Sequence, residues 1–141
     1  MTRSTALAEL SRDHGRELEQ ARRLIEASGA KPAIRMEAAA VYIEAFFGET
    51  VQHFRDEEER VFPLFVRHTG PSPLVDRVLR EHMQLHGLVR ALRFEAVAGD
   101  VRPETLAGLG AFIRDHVRLE ERELFPLLET ALTEMAPDSP T

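Results

Sequence analysis

The sequence predicts an all-α protein, an up-down-up-down antiparallel four-helix bundle. Three observations lead there. The strong helix formers Ala, Leu, Glu and Arg dominate the chain, and no stretch alternates apolar and polar as a strand would. Gly and Pro gather at three places, Ser28-Gly29-Ala30-Lys31-Pro32, Thr69-Gly70-Pro71-Ser72-Pro73 and Gly99-Asp100-Val101-Arg102-Pro103. Such clusters read as loops and leave helices near 5–28, 33–68, 73–98 and 103–135. Apolar residues recur at three- and four-residue steps within these segments, and short loops between amphipathic helices favour antiparallel neighbours.

Each element has its own signals. Ser4 or Thr5 can cap the first helix, whose stripe is Leu7, Leu10, His14, Leu18, Ala21 and Ile25. The second carries Pro63 late in its length, a position that removes a hydrogen bond and predicts a kink. Ser72 followed by Pro73 is a start signal for the third, with a stripe of Leu74, Val78, Leu79, His82, Leu85, His86, Val89 and Leu92. The fourth repeats the late proline at Pro126. The bundle is expected over 1–136, with 137–141 as a disordered tail.

At 141 residues the chain suits one domain. Hydrophobic content of 43% with 30% charge marks a globular protein rather than a disordered one. The net charge is −6, and the basic residues, Lys31 and otherwise arginines, are scattered among acids. That pattern argues against nucleic acid and anionic membrane surfaces as partners. Cysteine is absent, which excludes disulfides, thiolate ligands, iron–sulfur clusters and cysteine nucleophiles. A metal would need His, Asp, Glu, Tyr or backbone oxygen. The N-terminus lacks an apolar run of signal-peptide length and no stretch could span a bilayer, so the expected location is the cytoplasm.

Chemistry enters through a duplication. Residues 53–65 return as 116–128 with seven of 13 positions identical, among them His53/His116, Glu57/Glu120 and Pro63/Pro126. In each copy a Glu follows the His by four residues, which leaves the two side chains only about 40° apart on one helix face; five residues would separate them by about 140°. Glu57 and Glu120 are therefore the expected carboxylates, while Glu58, Glu59, Glu121 and Glu123 are expected as solvated acids. Counted from loop centres near 70 and 100, His53, His82, His86 and His116 lie within roughly one turn of a common depth. His14 joins them if the entry to the second helix is bent. Every helix thus supplies a His to one layer. A lone His on an apolar stripe is usually a packed core residue, but five imidazoles and two carboxylates buried together would leave many polar groups unpaired unless an ion held them. Such nitrogen and oxygen donors suit iron, manganese or zinc, and two carboxylates from different helices can each bridge two ions. His68, at a helix C-terminus, is assigned to the last carbonyls, and Tyr42 to the core.

His14 in Arg-Asp-His, His53-x-x-x-Glu57, His82-x-x-x-His86 and His116-x-x-x-Glu120 together resemble the hemerythrin-like (His-His-Glu, cation-binding) domain family over nearly the whole chain. The resemblance implies a hemerythrin-like bundle around two non-haem iron ions with oxo or hydroxo and carboxylate bridges. One iron would be held by His82, His86 and His116 and the other by His14 and His53, with Glu57 and Glu120 bridging. Oxygen-carrying members place an Asp five residues after the last His, whereas Glu120 follows at four, as in the more varied His-Glu subgroup. Aligning Arg12-Asp13-His14 with Arg80-Glu81-His82 pairs His86 with Leu18, so His82 is the symmetric ligand and His86 either a fifth ligand or a residue beside the set.

Three functions are weighed, of which the first is the expected one and the second its alternative. The first is a binding protein for dioxygen or a related small ligand, as carrier or sensor, or for iron itself; a sensor would act through a separate partner. The second is an enzyme that decomposes peroxide or handles nitric oxide. The third is an interaction module with a structural metal. The ferritin-like di-iron class requires Glu-x-x-His, which neither copy of the repeat contains.

Overall fold

A computed structural model describes residues 4–135. Helix α1 spans Thr5–Ser28, α2 runs over 32–69, α3 spans Pro73–Ala98 and α4 runs over 103–135. There is no strand among the described residues, and no helix there is long and apolar enough to cross a membrane. The tail expected at 137–141 lies outside the described residues.

The helix ends follow from local chemistry. Ser4 and Ser72 each accept a hydrogen bond from the N–H three residues on, at Leu7 (3.4 Å) and Val75 (3.2 Å); such caps contribute about 1 kcal/mol. Pro32, Pro73 and Pro103 open the other three helices, where the missing N–H costs nothing. Gly99 ends α3 in the left-handed region (φ 76°), where a side chain would be strained.

The kinks expected at Pro63 and Pro126 take the form of widened, π-helical turns at Glu57–Val61 and Glu120–Leu124. Proline lacks an N–H, and its ring excludes the carbonyl four residues back. The chain answers by widening in the preceding turn, so the N–H groups of Phe62 and Phe125 reach five residues back to Glu57 and Glu120. A third widened turn, Phe46–Thr50, lies on the entry of α2.

Helix α1 packs against α4 along much of its length. Gly110 permits the approach, since a Cβ there would stand 2.6 Å from Ile25 Cγ1 and 2.8 Å from the Ala21 carbonyl oxygen. The core consists of two apolar clusters. One is built around Leu24, Phe46, Leu92, Leu106 and Ile113. The other is built around Leu7, Phe62, Val78, Leu124 and Phe125. The buried His and Glu residues belong to neither. Two positions of the stripe expected on α1 differ: Leu18 and Ile25 stand at its solvent edge, at 37% and 36% exposure. The interior side of that helix is narrowed by the close contact with α4.

Gly110→Ala is expected to lower the melting temperature. A glycine in mid-helix ordinarily gains up to about 1 kcal/mol when replaced by alanine, but here the methyl meets a backbone oxygen that no rotamer change can move. Overpacking of this kind costs about 1–3 kcal/mol. Thermal unfolding followed by circular dichroism reads the difference.

Candidate metal centre

The second helix supplies His53 and Glu57 and the fourth His116 and Glu120, in each case just before or at the start of the widened turn. The first and third supply His14 and His82. All six side chains are buried, the four histidines at 1–3% exposure and both glutamates at 0%. Two groups of donors result: His14, His53, Glu57 and Glu120, and His82, His116 and Glu120.

Each imidazole is held through Nδ1, which donates to a carboxylate of a neighbouring helix. His14 donates to Glu121 Oε2 (2.8 Å), His53 to Asp13 Oδ2 (2.9 Å), His82 to Glu58 Oε2 (2.6 Å) and His116 to Glu81 Oε1 (2.7 Å). Three of these acids are themselves anchored. Arg16 bonds Asp13, Arg77 bonds Glu81 (3.2 Å), and the Ser11 hydroxyl bonds Glu121 (2.9 Å). Fixing Nδ1 as the donor leaves Nε2 to face the interior, the arrangement typical of metal-binding histidines.

Glu58 and Glu121, expected as solvated acids, keep contact with solvent, at 37% and 30% exposure, but each also accepts from an imidazole. Both leave the face of the His on their own helix, but the adjacent helix presents another imidazole on that side. The signal was in the sequence: an acid directly precedes His14 and His82, and an acid directly follows Glu57 and Glu120. Glu59 and Glu123 are exposed.

The Nε2 atoms converge. His14 and His53 bring theirs to 3.2 Å of each other, the separation of two nitrogens bound about 2.1 Å from one ion at roughly a right angle. Glu57 and Glu120 lie between the imidazole pairs, each with one oxygen toward each side. Glu57 Oε2 is 3.4 Å from His53 Nε2 and its Oε1 is 3.2 Å from His82 Nε2. Glu120 Oε2 is 2.6 Å from His14 Nε2, and its Oε1 is 3.5 Å from the Nε2 of both His82 and His116. All four oxygens of these glutamates, with Nε2 of His82 and of His116, are buried without a hydrogen-bond partner. Orphaned atoms of this kind cost free energy unless a cation draws them together, so the donor set fits a metal. Aromatic rings wall the centre: Phe54 stacks on His82 at 3.8 Å and Phe125 lies 4.9 Å from His14.

The family model for the hemerythrin HHE cation binding domain matches residues 5–128. The chain belongs to this family. Neither the curated proteins nor the solved structures provide a match. Family membership makes the chain a cation-binding protein, and its buried His and Glu groups can hold a metal.

The structure does not bring His86 to this hemerythrin-type cluster. It is exposed, with its ring 5.0 Å from Phe46. One turn beyond His82 the interior is filled by Leu85 and Phe54, and four residues also carry His86 about 6 Å along the helix. The expected five imidazoles become four. His68 bonds Glu134 (3.0 Å) rather than the helix end, and Tyr42 is buried in the core. Sequence reasoning missed Glu17, one turn after His14, which is 5% exposed and 3.6 Å from His53 Nε2. Its wholly buried Oε2 has no partner, and burial raises its carboxyl above the usual range.

Without a metal, protons take the place of the cation. Burial alone would lower the histidine pKa values, but the carboxylates overcome it. Glu120 and Glu121 hold His14 up at about 10, and Glu57 and Asp13 hold His53 at about 11. Glu120, Glu57 and Glu58 hold His82 at about 11. Conversely, hydrogen bonds from His53 and His116 lower Asp13 and Glu81, and, against the cost of burial, the imidazoles hold Glu120 well below the carboxylate range.

A histidine whose folded pKa lies above its unfolded value, about 6.5, adds stability that is complete below that value and lost as pH rises through about 10 to 11. The metal-free protein is thus expected to melt at progressively lower temperature from about pH 7 upward, as read by thermal denaturation in chelator. Glu81→Ala is expected to weaken metal binding by about 10- to 100-fold, the usual effect of removing a carboxylate behind a histidine ligand. Equilibrium titration with a divalent metal measures it.

Proposed function

We propose that the centre holds two non-haem iron ions and binds dioxygen or a related small ligand. His14 and His53 hold one ion, His82 and His116 the other, and Glu57 and Glu120 bridge them. The observation that carries this reading is the placement of the two glutamates: each directs one oxygen to each imidazole pair, at 2.6–3.5 Å. One ion at His14 and His53 would use one oxygen of each glutamate and leave the other oxygens, turned toward His82 and His116, unmatched. Histidine nitrogen with carboxylate suits iron and also admits manganese or zinc.

When bound, a pair of ferrous ions supplies the electrons that dioxygen or peroxide takes up. The protein's own contribution is the surroundings. Four Nδ1–carboxylate bonds keep the imidazoles oriented and raise their donor strength. Phe54, Phe62 and Phe125 limit water around the centre.

One observation favours a second reading, in which the centre turns over peroxide or nitric oxide. With His86 on the surface, each ion has only two imidazoles, which leaves more positions for exogenous ligands than a five-histidine site does. Reversible carriage needs fewer open positions than turnover does.

The test is metal analysis and absorption spectroscopy of protein reconstituted anaerobically with ferrous iron, then exposed to oxygen or hydrogen peroxide. About two irons per chain with a reversible oxygen adduct supports the binding protein, and sustained oxygen evolution from peroxide supports the enzyme. Failure to take up two ions overturns both. His116→Ala is expected to lose metal and melt several degrees lower when loaded, since ligand binding stabilises the folded state, whereas His86→Ala keeps the full metal content.

A further inference from the structure

The two imidazole pairs are related by the sequence repeat, but their surroundings are not equal. Aligning Arg12-Asp13-His14 with Arg80-Glu81-His82 sets Glu17 opposite Leu85. Both are buried, at 5% and 1% exposure. One side of the centre therefore has an extra carboxylate where the other has a hydrocarbon. Glu17 Oε2 is 3.6 Å from His53 Nε2, with no hydrogen-bond partner of its own. No hydrogen-bond donor reaches that oxygen, and Gln20 Oε1, one turn further along, is also a buried acceptor without a donor. An acidic side chain placed this deep beside two convergent imidazole nitrogens is costly in the metal-free protein.

The same side has an approach from outside. A cleft of about 10 Å³, the size of about one water molecule, lies between α1 and α2 and is lined by Arg16, Glu17, Gln20, Glu49, Thr50 and His53. Glu17 and His53 stand at both this cleft and the centre. The widened turn Phe46–Thr50 ends at Thr50, on the α2 wall of the cleft.

We propose that Glu17 is an additional ligand to the ion held by His14 and His53, so that the two ions bind unequally and this side fills first. The inference rests on the two-ion reading above. The extra anionic oxygen strengthens cation binding on one side alone. It also leaves the ion at His82 and His116, which faces Leu85, as the one with fewer protein donors and more room for an exogenous ligand.

The experiment is an anaerobic titration of metal-free wild type, Glu17→Gln and Glu17→Leu with Co(II), followed by its visible absorption, together with melting curves of the metal-free proteins. Glu17→Gln is close to isosteric and guards against misfolding of the leucine variant. Wild type is expected to take two Co(II) ions in two separable steps with different spectra. In both variants the tighter step should weaken by about tenfold or more, on the scale of a lost ligand-shell partner, while the weaker step stays. The metal-free Glu17→Leu protein should melt no lower than wild type, because it has lost a buried carboxyl oxygen without a hydrogen-bond partner. Two bound Co(II) ions with affinities and spectra the same in wild type and variants would overturn the role of Glu17 alone. A wild type that binds no pair of Co(II) ions would overturn the two-ion reading and this inference with it.

Discussion

The structure depends on one constraint: two fully buried carboxylates and four buried imidazoles must be kept in a single layer across the middle of a helical bundle. Burial of unpaired charge is among the largest costs a fold can carry. The protein meets it from both sides. Outside the layer, Asp13, Glu58, Glu81 and Glu121 each accept from one Nδ1. Inside it, a cation, or protons in its absence, balances Glu57 and Glu120. Every imidazole has its orientation set by a residue on another helix, so the layer cannot form until all four helices are assembled.

The widened turns belong to the same constraint. Each begins at a glutamate of the centre and is followed at once by Phe-Pro. Proline makes the regular helix unfavourable there, and the π turn accepts the irregularity where the interior needs it. The phenylalanine of the same dipeptide then packs as a wall, with Phe125 against His14 and Phe62 near His82. A three-residue signature thus sets helix geometry, ligand position and apolar surroundings together.

Much of this was legible in the sequence. Helix boundaries followed from Gly and Pro clusters and from the Ser72–Pro73 start, and came out within a residue or so. The layer of His14, His53, His82 and His116 followed from periodicity and register, because a bundle of straight helices preserves depth. His86 was misplaced because an i+4 step keeps a residue on one face but not at one depth, and at its level Leu85 and Phe54 already occupy the interior. The imidazole contacts of Glu58 and Glu121 were not foreseen because a helical wheel treats a helix alone, while these side chains reach imidazoles on a neighbour. Glu17 was missed for a related reason: its i+3 spacing from His14 was visible, but only the packing of α1 against α2 shows that His53 faces it.

The division of the core has a consequence for cooperativity. Leu24, Phe46, Leu106 and Ile113 form one apolar body, and Leu7, Phe62, Val78 and Phe125 another, with the ligand layer between them. Polar atoms that fail to pair couple two hydrophobic bodies weakly, whereas a metal centre that draws together residues of all four helices couples them tightly. The occupied centre is then the rivet that makes the molecule a single folding unit. Stripped of it, the bundle is two half-cores sharing four helices, each free to open on its own as a separate sub-global unit.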